Sequence, residues 1–364
     1  MEPRIVFHID FDYFYAQCEE IRRPDLKTKP VAVCVYSDRG GDSGAVATAN
    51  YLARKYGVKS GMPIKFAQRK LESNPDAVFL PTDFEYYSEV SERSMNVIRE
   101  YADIFEYVGR DEAYLDVTKK TGCNYDTAAH LAQQLKNSIR VSTKISSTVG
   151  VSPNKLVSKI ASGFQKPDGL TIVPPEKVES FLDPLPIRDI PGIGKKSEEK
   201  FAEMGLQTIA QLRGLDVFKL NGLFGRKIGT YIFNACRGIN DEPVSPRHDP
   251  IQYSRIVTLK QDSKDFDFLL PDLEKLCEDV HQSITKDNLL FKSVGIQFVQ
   301  TDLSNKSKSR TLKNSTSSLD ELKKTATILL RESLEDQKLS IRRLGVKVSD
   351  LSQVQGQVDI TRFF

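Results

Sequence analysis

No apolar run in this sequence approaches the ~18–20 residues a helix needs to cross a bilayer, so no membrane association is expected. The N-terminus also lacks the basic-then-apolar pattern of a secretory signal, because its first apolar run ends in Asp10 and Asp12. Cysteine is scarce and scattered. Cys18, Cys34, Cys123, Cys236 and Cys277 are odd in number and show no Cys-x-x-Cys spacing. That argues against a zinc site or a disulfide framework and for the reducing cytoplasm. Internal repeats and low-complexity tracts are missing too, as is a strong excess of either charge. A formal net charge of +3 permits a nucleic-acid partner without arguing for one.

What is present is a globular composition, 39% hydrophobic and 28% charged, in a chain of 364 residues, enough for roughly two to four domains. The stretch Ile5-Val6-Phe7-His8-Ile9-Asp10-Phe11-Asp12-Tyr13-Phe14-Tyr15 runs from strand-like residues into two acids and three aromatics. An acid at the end of a buried strand is costly unless it is paired, hydrogen-bonded or bound to a cation. A second acidic step, Asp111-Glu112, follows another strand-like run, Ile104 to Val108. If the strands are neighbours, Asp10, Asp111 and Glu112 form an oxygen-rich pocket suited to Mg²⁺ or Mn²⁺ rather than zinc, as in phosphoryl or nucleotidyl transfer. Asp12 reads as a cap for the helix it precedes, and Asp116 as structural. A haloacid-dehalogenase-like phosphohydrolase also carries Asp-x-Asp after its first strand. Here Tyr13-Phe14-Tyr15 would crowd a phosphoaspartate, and the rest of the chain would go unexplained.

Alternation of strand and helix patterns makes residues 1–23 and 80–173 an α/β domain interrupted by a small insertion, 24–79. Ile104–Val108 and Tyr114–Val117 read as a hairpin, Ile145–Val151 as a strand, and Ser152-Pro153 as the cap and first turn of the next helix. Residues 174–240 hold short helices punctuated by glycine. Residues 241–251, carrying prolines and mixed charges, read as a flexing linker, and 252–350 have the β-α-β-β-α-β order of a ferredoxin-like domain. A polar tail, 351–364, ends in two aromatics.

Further residues suggest contacts to phosphates. Thr48, Tyr51 and Arg54, at i, i+3 and i+6 of an expected helix, line one face fit for a triphosphate, and Lys166 adds a cation. Pro191-Gly192-Ile193-Gly194-Lys195-Lys196 resembles a helix-hairpin-helix, in which Gly192 and Gly194 let backbone N–H groups meet a nucleic-acid phosphate and Lys195 adds charge. Lys306, Lys308 and Arg310 alternate in an acid-free stretch and would share one face of a strand, a rail for a phosphate backbone. At the C-terminus, Gln357, Ile360, Phe363 and Phe364 form the Gln-x-x-Ile-x-x-Phe-Phe pattern of a clamp-binding peptide.

Together Asp10-Phe11-Asp12-Tyr13-Phe14-Tyr15-Ala16, Gly44-Ala45-Val46-Ala47-Thr48-Ala49-Asn50-Tyr51, Asp111-Glu112-Ala113-Tyr114-Leu115-Asp116 and Pro191-Gly192-Ile193-Gly194 resemble a Y-family DNA polymerase of the DinB branch, most like the archaeal lesion-bypass enzymes. The resemblance covers nearly the whole chain. It implies an α+β multidomain right hand: palm (1–23 and 80–173), fingers (24–79), helix-hairpin-helix thumb (174–240) and ferredoxin-like little finger (252–350). It also implies two Mg²⁺ ions on Asp10, Asp111, Glu112 and the Phe11 carbonyl, with Mn²⁺ as a substitute. Thr48, Tyr51, Arg54 and Lys166 would bind the dNTP, Tyr15 would be the steric gate against a ribose 2′-hydroxyl, and Val35, Ala45 and Gly61 would form a small roof over the nascent base pair. The implied partners are primer-template DNA, dNTP and a PCNA-type sliding clamp, for a cytoplasmic monomer.

One departure is Gly109-Arg110 where the family usually has Ser-Ile, which implies a lower rate or an altered metal preference. The expected activity is low-fidelity synthesis past lesions. Two alternatives stand beside it: a weakened polymerase-like scaffold that binds DNA and clamp, and a helix-hairpin-helix nuclease using the same acids.

Overall fold

The structure, a computed structural model, describes residues 4–246, 250–335 and 339–353. Chain order gives β1 (Val6–Phe11) and α1 (Phe14–Arg22), then β2 (Val31–Tyr36), β3 (Gly44–Ala49), α2 (Tyr51–Lys55), α3 (Ile64–Leu71) and β4 (Val78–Pro81). Next come α4 (Phe84–Glu100), β5 (Ile104–Tyr107), β6 (Glu112–Asp116), α5 (Tyr125–Thr143), β7 (Ser147–Ser152), α6 (Lys155–Phe164) and β8 (Leu170–Ile172). Short helices α7 (Val178–Leu182), α8 (Lys195–Glu203), α9 (Ile209–Arg213), α10 (Val217–Phe224) and α11 (Arg226–Ala235) follow. The C-terminal part holds β9 (Gln252–Ser263), α12 (Phe266–Lys286), β10 (Leu289–Gln300), β11 (Asn305–Thr316), α13 (Leu319–Glu335), β12 (Ile341–Ser349) and β13 (Ser352–Gln353).

Two compact units result. One comprises residues up to Val35 and from Ala45 into the linker, and the other comprises Tyr36–Gly44 and the C-terminal residues. In the first, the palm sheet has the order β5-β6-β1-β7-β8 and the fingers sheet the order β3-β2-β4. Strand β1 sits at the centre because its two faces differ. Ile5, Phe7, Ile9 and Phe11 are essentially fully buried in a core shared with α1, α4 and α5. Val6, His8 and Asp10 point to the opposite face, as the two-residue period of a strand requires.

On that opposite face α6 packs against β7. Gly150 makes the approach possible, since a Cβ there would stand 2.1 Å from the Ser158 carbonyl oxygen and 2.5 Å from the Ser162 nitrogen. The cap of α6 is not the expected Ser152-Pro153 pair. Ser152 ends β7, and the Asn154 side chain accepts the Val157 N–H instead, satisfying one open donor at the buried helix start. The run expected to lead into a helix at Thr48 is instead strand β3, and only Tyr51 and Arg54 lie on α2, capped by Asn50. Small β-compatible residues inside a three-stranded sheet overrode the helical spacing.

The front half of the linker is also more ordered than its composition suggests. Lys155 binds both Glu106 and Glu242, the Ser245 amide donates to Glu106 at 3.0 Å, and Val244 is buried against Val6 and Tyr114. Glu242, Val244 and Ser245 of the expected linker are thus bound to the palm sheet and α6.

In the second unit the sheet order is β11-β10-β12-β9, with α12 and α13 on one face over Val294, Ile296, Phe298, Leu344 and Val346. Register places Arg310 opposite Val294, Lys308 opposite Ile296 and Lys306 opposite Phe298, so the basic rail lies on the helix-covered face of an edge strand. Lys308 and Arg310 are both paired with Glu332 of α13. The bare face carries Ser307, Ser309, Gly295, Gln297, Gly345, Arg343 and Lys347. No helix among the described residues is long and apolar enough to cross a membrane, and the five cysteines form no disulfide.

Candidate active site

Antiparallel pairing of β1 with β6 sets Asp10 directly opposite Glu112, and the Phe11 N–H donates to the Asp111 carbonyl at 2.7 Å. All three acids expected from the sequence thus meet at one end of the palm sheet. Lysines engage two of them. Lys166 pairs with Asp10, and Lys159 with Glu112. Among the described residues no group of three or more His, Cys, Asp or Glu side chains converges tightly enough to ligate an ion. The donor chemistry still fits a hard divalent cation. Three carboxylates stand at adjacent strand ends without sulfur nearby, and the ammonium groups on Asp10 and Glu112 occupy the place of the positive charge those acids require.

The electrostatics divide these acids. Burial pushes the Asp10 carboxyl above its ordinary range, and the Lys166 ammonium pulls the other way. Burial likewise raises Asp111, and the neighbouring Glu112 charge adds to the rise. Glu112 is held down to about 2, first by its hydrogen bond from His8 and then by Lys159, against the cost of burial. His8 itself is lowered by burial, although Glu112 opposes the shift. A carboxylate only accepts, so the His8 Nε2–H donates to Glu112 Oε2 at 3.2 Å, and Nδ1 lies 2.7 Å from Ser162 Oγ.

Asp12 does not cap α1, whose N-cap residue, Tyr13, makes no side-chain cap bond. Its fully buried carboxylate accepts from Thr148 Oγ1 (2.7 Å), Ser146 Oγ (3.0 Å) and the Asp168 N–H (2.9 Å). Asp12 therefore braces the loop that carries Lys166. Asp116 is structural as expected, accepting from the Thr118 N–H at 3.0 Å.

Tyr51 follows β3 at the start of α2, and its hydroxyl is buried without a hydrogen-bond partner. Burial pushes it up to about 12, with Asp12 and Asp10 adding to the rise. An orphaned hydroxyl at this cost is expected to serve a ligand that supplies the missing partner. The Arg54 guanidinium lies 4.9 Å from the Tyr51 ring centroid and donates to the Ala49 carbonyl at 2.9 Å. Thr48 sits in the adjoining strand.

The Tyr15 ring is stacked on Tyr87 and met edge-on by Phe84. Val35 and Ala45 lie on neighbouring strands of the fingers sheet, Val35 44% exposed, and Gly61 turns at φ +80° with open space where a Cβ would stand. Gly192 adopts φ +86°, and Gly194 opens α8 without a side-chain cap, leaving the Lys195 and Lys196 N–H groups to a ligand or solvent, while the Ser197 N–H donates to the Gly194 carbonyl. Lys195 beside it is 81% exposed. Gln357, Ile360, Phe363 and Phe364 lie outside the described residues.

Arg110 does not enter the acid cluster. Its Nε donates to Ser88 Oγ at 3.0 Å, its guanidinium lies over Phe84 at 5.4 Å, and its carbonyl accepts from Ser91 Oγ at 2.6 Å. The turn before Asp111 is thereby tied to α4. Sequence reasoning missed His8 and Lys159. The two-residue period of β1 already placed His8 on the face of Asp10, whereas Lys159 becomes visible only once α6 is packed.

Residues 9–163 match the impB/mucB/samB family, residues 250–361 that family's C-terminal domain, and residues 188–240 the thumb domain of DNA polymerase iota. A protein described as DNA polymerase IV from Nitrosopumilus maritimus is 67% identical over the full length of both chains. DNA polymerase IV of Saccharolobus solfataricus is 39% identical, with 99% of each chain covered. Among solved structures, a Y-family DNA polymerase chimera matches with a TM-score of 0.89 at 37% identity, covering 96% of this chain and 99% of that one. An insertion ternary complex of Dbh DNA polymerase matches with a TM-score of 0.68 over the same shares.

Proposed function

This chain belongs to the Y family of DNA polymerases, in the DNA polymerase IV branch, and from that premise we propose which of its residues do the work. The activity is template-directed, low-fidelity DNA synthesis by nucleotidyl transfer, and the family works by a two-metal mechanism. Asp10, Asp111, Glu112 and the Phe11 carbonyl are the groups that would hold the metals, and the observation carrying this assignment is the β1–β6 register that faces Asp10 to Glu112. When bound there, Mg²⁺, or Mn²⁺ in its place, supplies charge neutralisation at the transferring phosphate and a lowered pKa for the primer 3′-hydroxyl.

The protein's own side chains do the positioning. Lys166 releases Asp10 and turns to the triphosphate, joined by Thr48, Arg54 and the Tyr51 hydroxyl, whose lack of a partner supports this role. The stacked Tyr15 ring blocks a 2′-hydroxyl. Val35, Ala45 and Gly61 provide a roof too small to test base-pair shape closely, which accords with low fidelity. Gly192, Gly194 and Lys195 hold DNA phosphates through the uncapped start of α8. In the second unit the DNA-facing surface is the bare sheet face with Arg343 and Lys347, rather than Lys306, Lys308 and Arg310. The peptide Gln357, Ile360, Phe363 and Phe364 docks on a PCNA-type sliding clamp, and the enzyme works as a cytoplasmic monomer.

Single-nucleotide primer extension with Mg²⁺, on undamaged and abasic templates, tests the site. Extension by the wild type that disappears in the Asp111→Ala/Glu112→Ala double variant supports it. Undiminished extension by that variant would place the metals elsewhere, and loss of labelled DNA without dNTP would point to a nuclease.

A further inference from the structure

His8 is buried to 1% exposure at the centre of the palm sheet, where a polar side chain is costly unless it is hydrogen-bonded. It is held at both ring nitrogens. Ser162 Oγ lies 2.7 Å from Nδ1, and Nε2 meets Glu112 Oε2 at 3.2 Å. With the proton on Nε2, Nδ1 accepts from the Ser162 hydroxyl, whose oxygen also lies 2.9 Å from the Lys159 carbonyl. Lys159, one turn earlier on α6, places its ammonium on the same Oε2. Both partners of Glu112 therefore grip one oxygen. The other, Oε1, carries no side-chain hydrogen bond among the described residues. The grip depends on Gly150, the β7 neighbour of His8 in register, because any Cβ there would push α6 away.

We propose that His8, seated by Ser162, is a positioning residue that aims Glu112: it anchors Oε2 in the sheet and so presents Oε1 to a catalytic cation. Lys159 is the exchangeable partner, exposed at 35% and held by a flexible stem, whereas His8 is the permanent one. Partners of this kind orient a ligating carboxylate and contribute to metal affinity without touching the metal. The proposal rests on the reading of Glu112 as a metal ligand.

The test is Mn²⁺ binding followed by electron paramagnetic resonance, on the full chain with a dideoxy-terminated primer-template and the next dNTP. His8→Phe keeps the ring volume and removes both nitrogens; it is expected to weaken Mn²⁺ binding by about 10-fold. His8→Gln, which can restore a donor near Nε2, is expected to recover most of that loss, a rescue that a purely space-filling role would not show. Ser162→Ala leaves the ring in place and is expected to fall between them; it decides the matter should His8→Phe fail to fold. Glu112→Ala separates the two layers. If it binds Mn²⁺ as the wild type does, the metal reading fails and this proposal with it. If it binds weakly while His8→Phe and Ser162→Ala bind as the wild type does, the positioning role alone is overturned.

Discussion

The Tyr15 ring lies flat on Tyr87, with centroids 4.6 Å apart and planes 15° apart, and the Tyr87 hydroxyl donates to Glu19 at 2.8 Å. The floor beneath the proposed gate is thus a buried aromatic locked at its far end. Tyr15→Ala should lower discrimination between dNTP and rNTP by about 100-fold or more, measured as the ratio of kcat/KM values. Tyr87→Leu keeps the gate but removes the stacking surface, and should cost about 3- to 10-fold. Unchanged sugar selectivity in Tyr15→Ala would end the gate assignment.

Asp12 binds Ser146, Thr148 and the Asp168 amide in one buried cluster. Asp12→Ala leaves these donors unpaired and should destabilise the protein by about 2–4 kcal/mol in urea unfolding. KM for dNTP should rise as well, because Lys166 loses its braced loop. A stability change below about 0.5 kcal/mol, within the range of surface substitutions, would contradict the brace.

Acidification should strip the metal from this site earlier than from ordinary carboxylates. Asp10 and Asp111 have raised pKa values, so they take up protons above the usual carboxylate range and compete with the cation there. Glu112, held down to about 2, stays charged throughout. For stability the two kinds of acid act in opposite directions. The Glu112 interactions are fully present above its ordinary pKa near 4.5 and fade as pH falls toward about 2, whereas raising the pH through the elevated pKa values of Asp10 and Asp111 lowers the stability of the metal-free protein. Mn²⁺ titrations at a series of pH values, beside thermal melts without metal, separate the two trends.

Basic residues on opposite faces of the second unit's sheet should behave differently toward DNA. Removing Lys347 or Arg343 from the bare face should each reduce the salt slope of duplex binding by about 1. Lys308→Ala and Arg310→Ala should change it far less, because both side chains are drawn onto the Glu332 carboxylate on the helix-covered face. Equal effects from all four would restore the edge strand as the contact surface.

Much of this was legible in the sequence, for identifiable reasons. The alternation in β1 and the strand-like run before Asp111 gave the two acid-bearing strands, and the β-α-β-β-α-β order of the C-terminal unit survived intact. The positions of Thr48 and of the α6 cap were not legible, because each depends on which partner a short segment finds in three dimensions. Lys306, Lys308 and Arg310 share a side as their alternation says, but only pairing with Val294 and Ile296 says which side. Nor was the place of the Arg110 side chain legible, which reaches Phe84 and Ser88 of α4 rather than the acids.

The two-sided character of β1 constrains how this gene can vary in length. Between Ile5 and Phe11 every odd residue fills the core and every even residue faces α6, the linker or the acids. Losing or gaining a single codon would exchange the two sets, turning phenylalanines toward the chemistry and His8 and Asp10 into oil. Point substitutions can be absorbed one face at a time; a one-residue indel cannot, so homologues should differ here in letters and never in length.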